Sequence, residues 1–175
     1  MSPSVRISEI GLYLRCPRLV YFQNLGSIAA PEDAARMLLR ALVFSLSSQQ
    51  SSQLSAVDLQ SLLKENLALL EQELPLIYEI DSALVESACR DLQPEIESIS
   101  QGLAGSLDLL LPCEVEVDLY SEKLGLSGRL DRLAHGGLPC IIRTGRAPEA
   151  GVWKKDRIML SGYALLLGEK EKRHV

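Results

Sequence analysis

The spacing of hydrophobic residues changes at Pro112, and this change constrains the fold more than any other feature of the chain. Before Pro112, apolar residues recur every three or four positions, which is typical of amphipathic helices. From Cys113 to Tyr120, apolar and polar residues alternate, as in a strand with one buried face. The sequence therefore predicts an α+β fold, with a helical N-terminal half followed by a small sheet.

Capping residues and prolines predict where the helices of the first half begin and end. The predicted N-terminal caps are Ser8, Asp33, Ser55 and Asp81. The first helix is expected to end before Pro17 and the Ser55 helix at Pro75, because proline cannot donate the backbone hydrogen bond that a helix needs. The Asp81 helix is expected to run to about Leu103, with Pro94 kinking or splitting it.

The second half predicts three strands in succession and then a helix. The strands are expected at 113–120, 126–134 and 138–144, and the helix at 156–168. We interpret residues 1–175 as one domain, with a mainly helical part at 1–111 and a part at 112–175 that carries a small mixed sheet flanked by helices.

Charge is unevenly distributed along the chain. The formal net charge is -5, which argues against a generally basic nucleic-acid binder. However, residues 50–128 contain 15 acidic and 3 basic residues, whereas residues 129–157 contain 7 basic and 3 acidic residues. This contrast fits either two solvated faces of opposite sign or a patch that faces phosphates.

Several classes of protein are not favoured by the composition. The N-terminus lacks the long apolar run of a signal peptide, and no apolar stretch is long enough to cross a bilayer, so a cytoplasmic protein without membrane contact is predicted. Aromatic residues make up 5%, which argues against an aromatic-rich surface for stacking bases. The four cysteines form no CxxC pair, so their spacing alone predicts no zinc site.

Two segments of the second half have the pattern of a metal-dependent nuclease, which holds Mg²⁺ or Mn²⁺ with carboxylates at the scissile phosphate. Asp131 lies in a predicted strand just after Gly128, within LSGRLDRL, and IIRTGRAPEAGVWKKDRIMLSGYALLL follows. Together they resemble the PD-(D/E)xK core of the CRISPR-associated RecB-like exonucleases. The N-terminal ISEIGLYLRCPRLVYF resembles the opening of the same family, and the likeness extends over about half of the chain.

The resemblance implies a restriction-endonuclease-like core and a metal-dependent DNA exonuclease that trims DNA ends in CRISPR adaptation. It implies a Mg²⁺ or Mn²⁺ ion on Asp131. Glu116 or Glu114 of the neighbouring strand either supplies a further oxygen ligand to this ion, or both are solvated acids on the face of the strand. Arg143 occupies the position of the catalytic lysine, and Tyr163 matches the tyrosine of the following helix. Cys16 matches the first ligand of an iron–sulfur cluster, whose other ligands are absent from this chain.

The chain also departs from the family pattern. Ile141 stands where the second metal-binding acid is expected, Met159 replaces a glutamine of the helix, and no histidine lies near 39–46. Arg143 keeps a positive charge, but its planar guanidinium is not equivalent to a lysine amine. Three functions therefore stay open: a weak exonuclease, a non-catalytic DNA-binding or adaptor protein on the nuclease fold, and a truncated remnant.

A basic cluster at the end of the third predicted strand and in the segment after it is predicted to bind the DNA backbone. Its members are Arg143, Arg146, Lys154, Lys155 and Arg157. Trp153 belongs either to this groove or to the core as an anchor for the last helix. The resemblance implies single- or double-stranded DNA ends and CRISPR integration proteins as partners. A further copy of the chain is also possible as a partner, since the short sheet leaves an open edge.

Overall fold

The computed structural model describes residues 4–26, 33–49, 54–144 and 147–172. The described helices are α1 (Ile7–Arg15), α2 (Pro17–Asn24), α3 (Ala34–Phe44), α4 (Ala56–Tyr78), α5 (Ser82–Leu92), α6 (Ile96–Ala104), α7 (Leu107–Leu110) and α8 (Lys154–Lys172). The described strands are β1 (Val5–Arg6), β2 (Glu114–Ser121), β3 (Leu126–Ala134) and β4 (Leu138–Cys140). The predicted α+β class, with helices first and a mixed sheet after them, is confirmed.

Strand β3 is the centre of the sheet. One edge of β3 pairs antiparallel with β2 along its length. The other edge is shared by two short strands, because β1 pairs in parallel with Leu126 and Ser127, whereas β4 pairs antiparallel with residues 132–134. Residues 128–131 of β3 therefore face a gap between β1 and β4.

The buried apolar side chains form two clusters. The first lies among helices α3 to α7, and its fully buried members include Leu38, Leu59 and Ile96. The second lies between the sheet and helices α1 and α8, where Ile7 and Leu130 are fully buried. The start of the chain therefore packs with the sheet, although the sequence predicted that it belongs to the mainly helical part.

Helices α1 and α8 approach each other closely at Gly11. A Cβ atom built at Gly11 would lie 2.6 Å from the Sδ atom of Met159, which is closer than real Cβ contacts. The absent side chain allows α8 to lie against α1 and to cover the sheet. Met159, in the position of the family's glutamine, is consequently a buried packing residue.

Three of the four predicted caps are confirmed. The side chains of Asp33, Ser55 and Asp81 accept hydrogen bonds from backbone N–H groups of the first turns of α3, α4 and α5. The prediction for Ser8 is wrong, because α1 begins at Ile7. The carboxylate of Glu9 accepts the backbone N–H of Arg6 at 2.8 Å and so satisfies a free donor at the start of this helix.

The two internal prolines behave differently. Pro94 splits the predicted long helix into α5 and α6, which are joined by a 3-10 turn at Gln93–Glu95. Pro75, by contrast, lies inside α4, so the predicted end of this helix is wrong. Leu74, which precedes Pro75, and Ile80, which follows the end of the helix, are both buried. Their packing offsets the loss of the one backbone hydrogen bond that proline cannot donate.

The third predicted strand is shorter than expected, since β4 ends at Cys140 instead of residue 144. The backbone N–H of Ile142 donates to the carboxylate of Asp131 at 2.8 Å and not to a neighbouring strand. The side chain of Asp131 thus takes the place of the backbone acceptor that a longer strand would have used, and the chain leaves the sheet after β4. Helix α8 begins two residues earlier and ends four residues later than the predicted helix at 156–168. None of the described helices combines the length and the apolar character needed to cross a membrane.

Candidate functional site

The gap between β1 and β4 opens into a cleft of about 300 Å³. Its walls include five arginines and one carboxylate, contributed by β1, α3, β3 and the segment after β4. These residues are Arg6, Arg36, Arg40, Arg129, Arg143 and Asp131, and we refer to them as the arginine cleft. The structure therefore brings Asp131, Arg143 and Tyr163, three of the predicted site residues, to one place.

Both carboxylate oxygens of Asp131 are engaged. Oδ2 accepts the backbone N–H of Ile142 at 2.8 Å, and Oδ1 lies 2.9 Å from Nη1 of Arg40. The side chain of Asp131 is only 9% exposed, so its negative charge depends on these partners for compensation. Asp131 consequently joins the segment after β4 and helix α3 to the central strand.

Arg40 contacts a second carboxylate besides that of Asp131. Its Nη2 atom lies 3.3 Å from Oε1 of Glu116, and its guanidinium lies over the ring of Phe44, 5.2 Å from the centroid. Glu116 of β2 lies between the two residues that pair with positions 130 and 132 of β3, so it lies beside Asp131 without being paired with it in the register. Glu116 also has a φ of 52°, a left-handed conformation that side chains rarely adopt in a strand. A single guanidinium thus bridges the two acids that were predicted to hold a metal ion.

The donor atoms of the cleft decide whether it can hold a divalent cation. Mg²⁺ and Mn²⁺ require several oxygen ligands, but the positively charged Arg40 already lies between Asp131 and Glu116. Ile141 lines the cleft at the position of the second acid and offers no ligand atom. Within the described part of the chain, no cluster of three or more His, Cys, Asp or Glu could hold a metal ion. These donors do not fit a resident divalent cation.

Arg143 forms contacts with helix α8. Its Nε atom donates to Oδ1 of Asp156 at 2.9 Å, and its Nη2 atom lies 3.3 Å from Sδ of Met159. Arg143 and Asp156 match the lysine and the helix-opening aspartate of the resembled family, and in this fold they form an ion pair with each other. This pair holds the segment after β4 against the start of α8.

Tyr163 supports the floor of the cleft. Its hydroxyl donates to the backbone oxygen of Arg129 at 2.8 Å. Burial raises the pKa of this hydroxyl, and the charge of Asp131 raises it further. A Cβ atom at Gly128 would lie 3.0 Å from Cε1 of Tyr163, so the glycine allows the ring to pack on β3. The hydroxyl is therefore a neutral donor that is already used within the fold.

The rest of the predicted basic cluster is divided between different places. Lys154 and Lys155 line a second cleft of about 550 Å³ together with Leu14, Arg15, Trp153 and Asp156, and we refer to it as the tryptophan cleft. Trp153 is 56% exposed, so it does not anchor α8 in the core. Arg157 is exposed and lines neither cleft. Arg146 lies outside the described residues.

The other two residues that were predicted as ligands, Cys16 and Glu114, do not line the arginine cleft. Cys16 is half-buried at the junction between α1 and α2, where its backbone ends one helix and begins the next. All four cysteines are free thiols, and none belongs to a cluster of potential metal ligands among the described residues. Glu114 is exposed at the start of β2, opposite Leu133.

Three arginines of the cleft were not identified from the sequence. Arg6 precedes α1, whereas Arg36 and Arg40 lie on α3. The only signal was the four-residue spacing of Arg36 and Arg40, which places both on one face of a helix. Their proximity to Asp131 depends on the packing of α3 against the sheet, which a periodic pattern does not contain.

Comparisons with protein-family models, with curated proteins and with solved structures found no match for this chain.

Proposed function

We propose that this protein binds DNA ends through the arginine cleft and does not cleave them, as a non-catalytic relative of the CRISPR-associated RecB-like nucleases. The observation that carries the proposal is the position of Arg40, which lies 2.9 Å from Asp131 and 3.3 Å from Glu116. A permanent cation of the protein thereby occupies the place between two carboxylates that a nuclease would reserve for its metal ion.

The chemistry of the cleft supports phosphate as the ligand. A guanidinium has five N–H donors in a planar fork that matches the oxygens of a phosphate group. The ion pairs of Arg6, Arg40, Arg129 and Arg143 engage only some of these donors. Arg36 has no ion-pair partner within the described residues, and it is exposed. A phosphodiester backbone offers a series of such groups, and binding to it is independent of base sequence.

The same residues argue against hydrolysis of the bound strand. Metal-assisted hydrolysis requires an ion that activates water and a group that stabilises the developing charge. Ile141 supplies no ligand for such an ion, and Arg143 is paired with Asp156 instead of facing Asp131. Weak exonuclease activity would need both Arg40 and Arg143 to leave their carboxylate partners.

The biological setting follows from the resemblance alone. A protein that holds DNA ends without trimming them fits the role of an adaptor in CRISPR adaptation. It would present those ends to an integration partner in the cytoplasm. The basic residues outside the arginine cleft, Lys154 and Lys155, are exposed and extend the positive surface beside it.

DNA binding is tested by fluorescence anisotropy with labelled oligonucleotides in EDTA, repeated over a series of salt concentrations. We expect binding without metal, with an affinity that falls as salt rises, because released counterions contribute to it. Arg36→Ala should reduce the slope of log affinity against log salt by about 1, the effect of one lost phosphate contact. Arg90→Ala, which changes an exposed arginine on α5, is the matched control and should bind like the unchanged protein.

Cleavage is tested on the same oligonucleotides with Mn²⁺ or Mg²⁺. We expect intact DNA from a sample that melts cooperatively. Metal-dependent degradation that disappears in Asp131→Asn, with the variant still folded, would instead establish an exonuclease. Failure of the unchanged protein to bind DNA in EDTA at low salt would contradict the proposal directly.

A further inference from the structure

We infer that Trp153 forms a base-stacking subsite for single-stranded DNA in the tryptophan cleft. This inference rests on the proposed function and deepens it, because it names the form of DNA that the protein prefers. An unpaired base would lie on the indole ring, and the adjoining phosphates would lie near Arg15, Lys154 and Lys155.

The exposure of Trp153 is the first observation behind this subsite. Its side chain is 56% exposed, and the ring has no stacking or cation–π partner among the described residues. Its backbone is nevertheless held in place, since its carbonyl oxygen accepts the N–H of Arg157 at 3.0 Å in the first turn of α8. A large ring on a fixed backbone loses little conformational freedom when it contacts a ligand.

The residues around the ring supply the second observation. Arg15 at the end of α1 and Lys154 and Lys155 at the start of α8 share the cleft with the indole. All three are exposed, and none has an ion-pair partner in the ranges that the structure describes. A positive groove with an aromatic platform is the combination with which proteins bind single strands without reading their sequence.

Asp156 is the one acid of this cleft, and its charge is compensated. Its side chain is 10% exposed and lies 2.9 Å from Arg143. Arg143 lines the arginine cleft, so this ion pair forms the boundary between the two clefts. A strand whose backbone lies along the arginine cleft can therefore continue past the Arg143–Asp156 pair to the indole.

The requirement for an unpaired base follows from the chemistry of stacking. Inside a duplex, neighbouring base pairs cover both faces of each base, and only the terminal pair keeps one open outer face, so a side chain reaches an internal base only when that base leaves the stack. The subsite consequently favours single strands and frayed ends, in which several bases offer open faces, over intact duplex.

The fluorescence of Trp153 tests the subsite directly, because it is the only tryptophan of the chain. A short oligothymidylate is titrated against an abasic oligomer of equal length, which has the same phosphates but no bases. We expect quenching of the indole by the first oligomer and not by the second. The affinity for the oligothymidylate should be about tenfold higher than the affinity for the abasic oligomer, which is the contribution expected of one stacked base.

Variants separate stacking from a general effect on binding. Trp153→Ala should bind both oligomers equally, at the affinity of the unchanged protein for the abasic one, and Trp153→Phe should recover part of the preference. Tyr78→Ala, which removes an exposed aromatic ring at the end of α4, is the matched control and should keep the full preference. Circular dichroism verifies that each variant is folded.

The possible results distinguish the subsite from the proposed function. Equal affinity of the unchanged protein for both oligomers, without quenching, overturns the stacking subsite and leaves phosphate binding by the arginine cleft intact. Absence of binding to either oligomer overturns both. Tighter binding of an oligouridylate of the same length than of the oligothymidylate overturns the assignment to DNA.

Discussion

Arg40 of helix α3 and Asp131 of strand β3 form an ion pair of 2.9 Å that joins the helical part of the molecule to its sheet. The two residues are far apart in sequence, and each belongs to an element with its own apolar cluster. Asp131 also accepts the N–H of Ile142, so its carboxylate fixes three segments at one point. The pair is both a structural link and the feature that most distinguishes this cleft from a metal site.

Removing Arg40 should destabilise the protein. Arg40→Ala leaves the carboxylate of Asp131 largely buried without its cation, which we expect to reduce the free energy of unfolding by about 1–3 kcal/mol. Urea denaturation measures this loss. In an Asp131→Asn background the same substitution should cost clearly less, because no charge is left uncompensated. Equal losses in both backgrounds would show that the ion pair has no net coupling.

Restoring the missing acid should create a metal site. The double variant Arg40→Ala, Ile141→Glu would place a third carboxylate beside Asp131 and Glu116 and remove the competing cation. We expect this variant to bind Mn²⁺, measured by isothermal titration calorimetry, whereas each single variant binds it more weakly. If the double variant is folded and takes up no more Mn²⁺ than the unchanged protein, the proposed likeness of the cleft to a nuclease site is contradicted.

Gly128 should tolerate no side chain. A methyl group there would lie 3.0 Å from the ring of Tyr163 and would displace its hydroxyl from the Arg129 carbonyl. We expect Gly128→Ala to lower the free energy of unfolding by about 1–3 kcal/mol, as over-packing typically does. Gly102→Ala is the matched control, because nothing lies within 4 Å of its added methyl in helix α6. It should instead stabilise the protein by up to about 1 kcal/mol, and a similar effect of both substitutions would refute this account.

Stability should decrease at alkaline pH through Cys89. Burial, with a further contribution from the charge of Glu71, raises the pKa of this thiol from 9.0 to about 11. Between these two values the unfolded chain has released the proton while the folded protein still holds it, so the free energy of unfolding falls as pH rises.

Unfolding of Cys89→Ala over the same pH range provides the comparison. Its stability should decrease less steeply than that of the unchanged protein. Part of the slope should persist, because burial also raises the pKa of Cys140 and of Tyr163. Parallel curves for the two proteins would mean that Cys89 does not contribute.

The sequence identified the elements of this fold better than it identified their ends. The alternation after Pro112 predicted β2, and the capping residues Asp33, Ser55 and Asp81 were confirmed. The ends of α4 and β4 were wrong for one reason, namely that contacts distant in sequence changed the outcome. Packing around Leu74 allows α4 to continue past Pro75. The N–H of Ile142 donates to the carboxylate of Asp131 instead of to a neighbouring strand, so β4 ends early.

The sequence by itself determined the α+β class and the positions of most elements, because periodicity and capping are properties of neighbouring residues. The resemblance to a nuclease family singled out Asp131, Arg143 and Tyr163, which all line the arginine cleft. Only the tertiary structure decided what these residues contact. It placed Arg40 between Asp131 and Glu116, paired Arg143 with Asp156 and exposed Trp153 beside Arg15. Such contacts arise when α3, α1 and α8 pack against the sheet, and the spacing of residues along one helix contains no information about which other element it will meet.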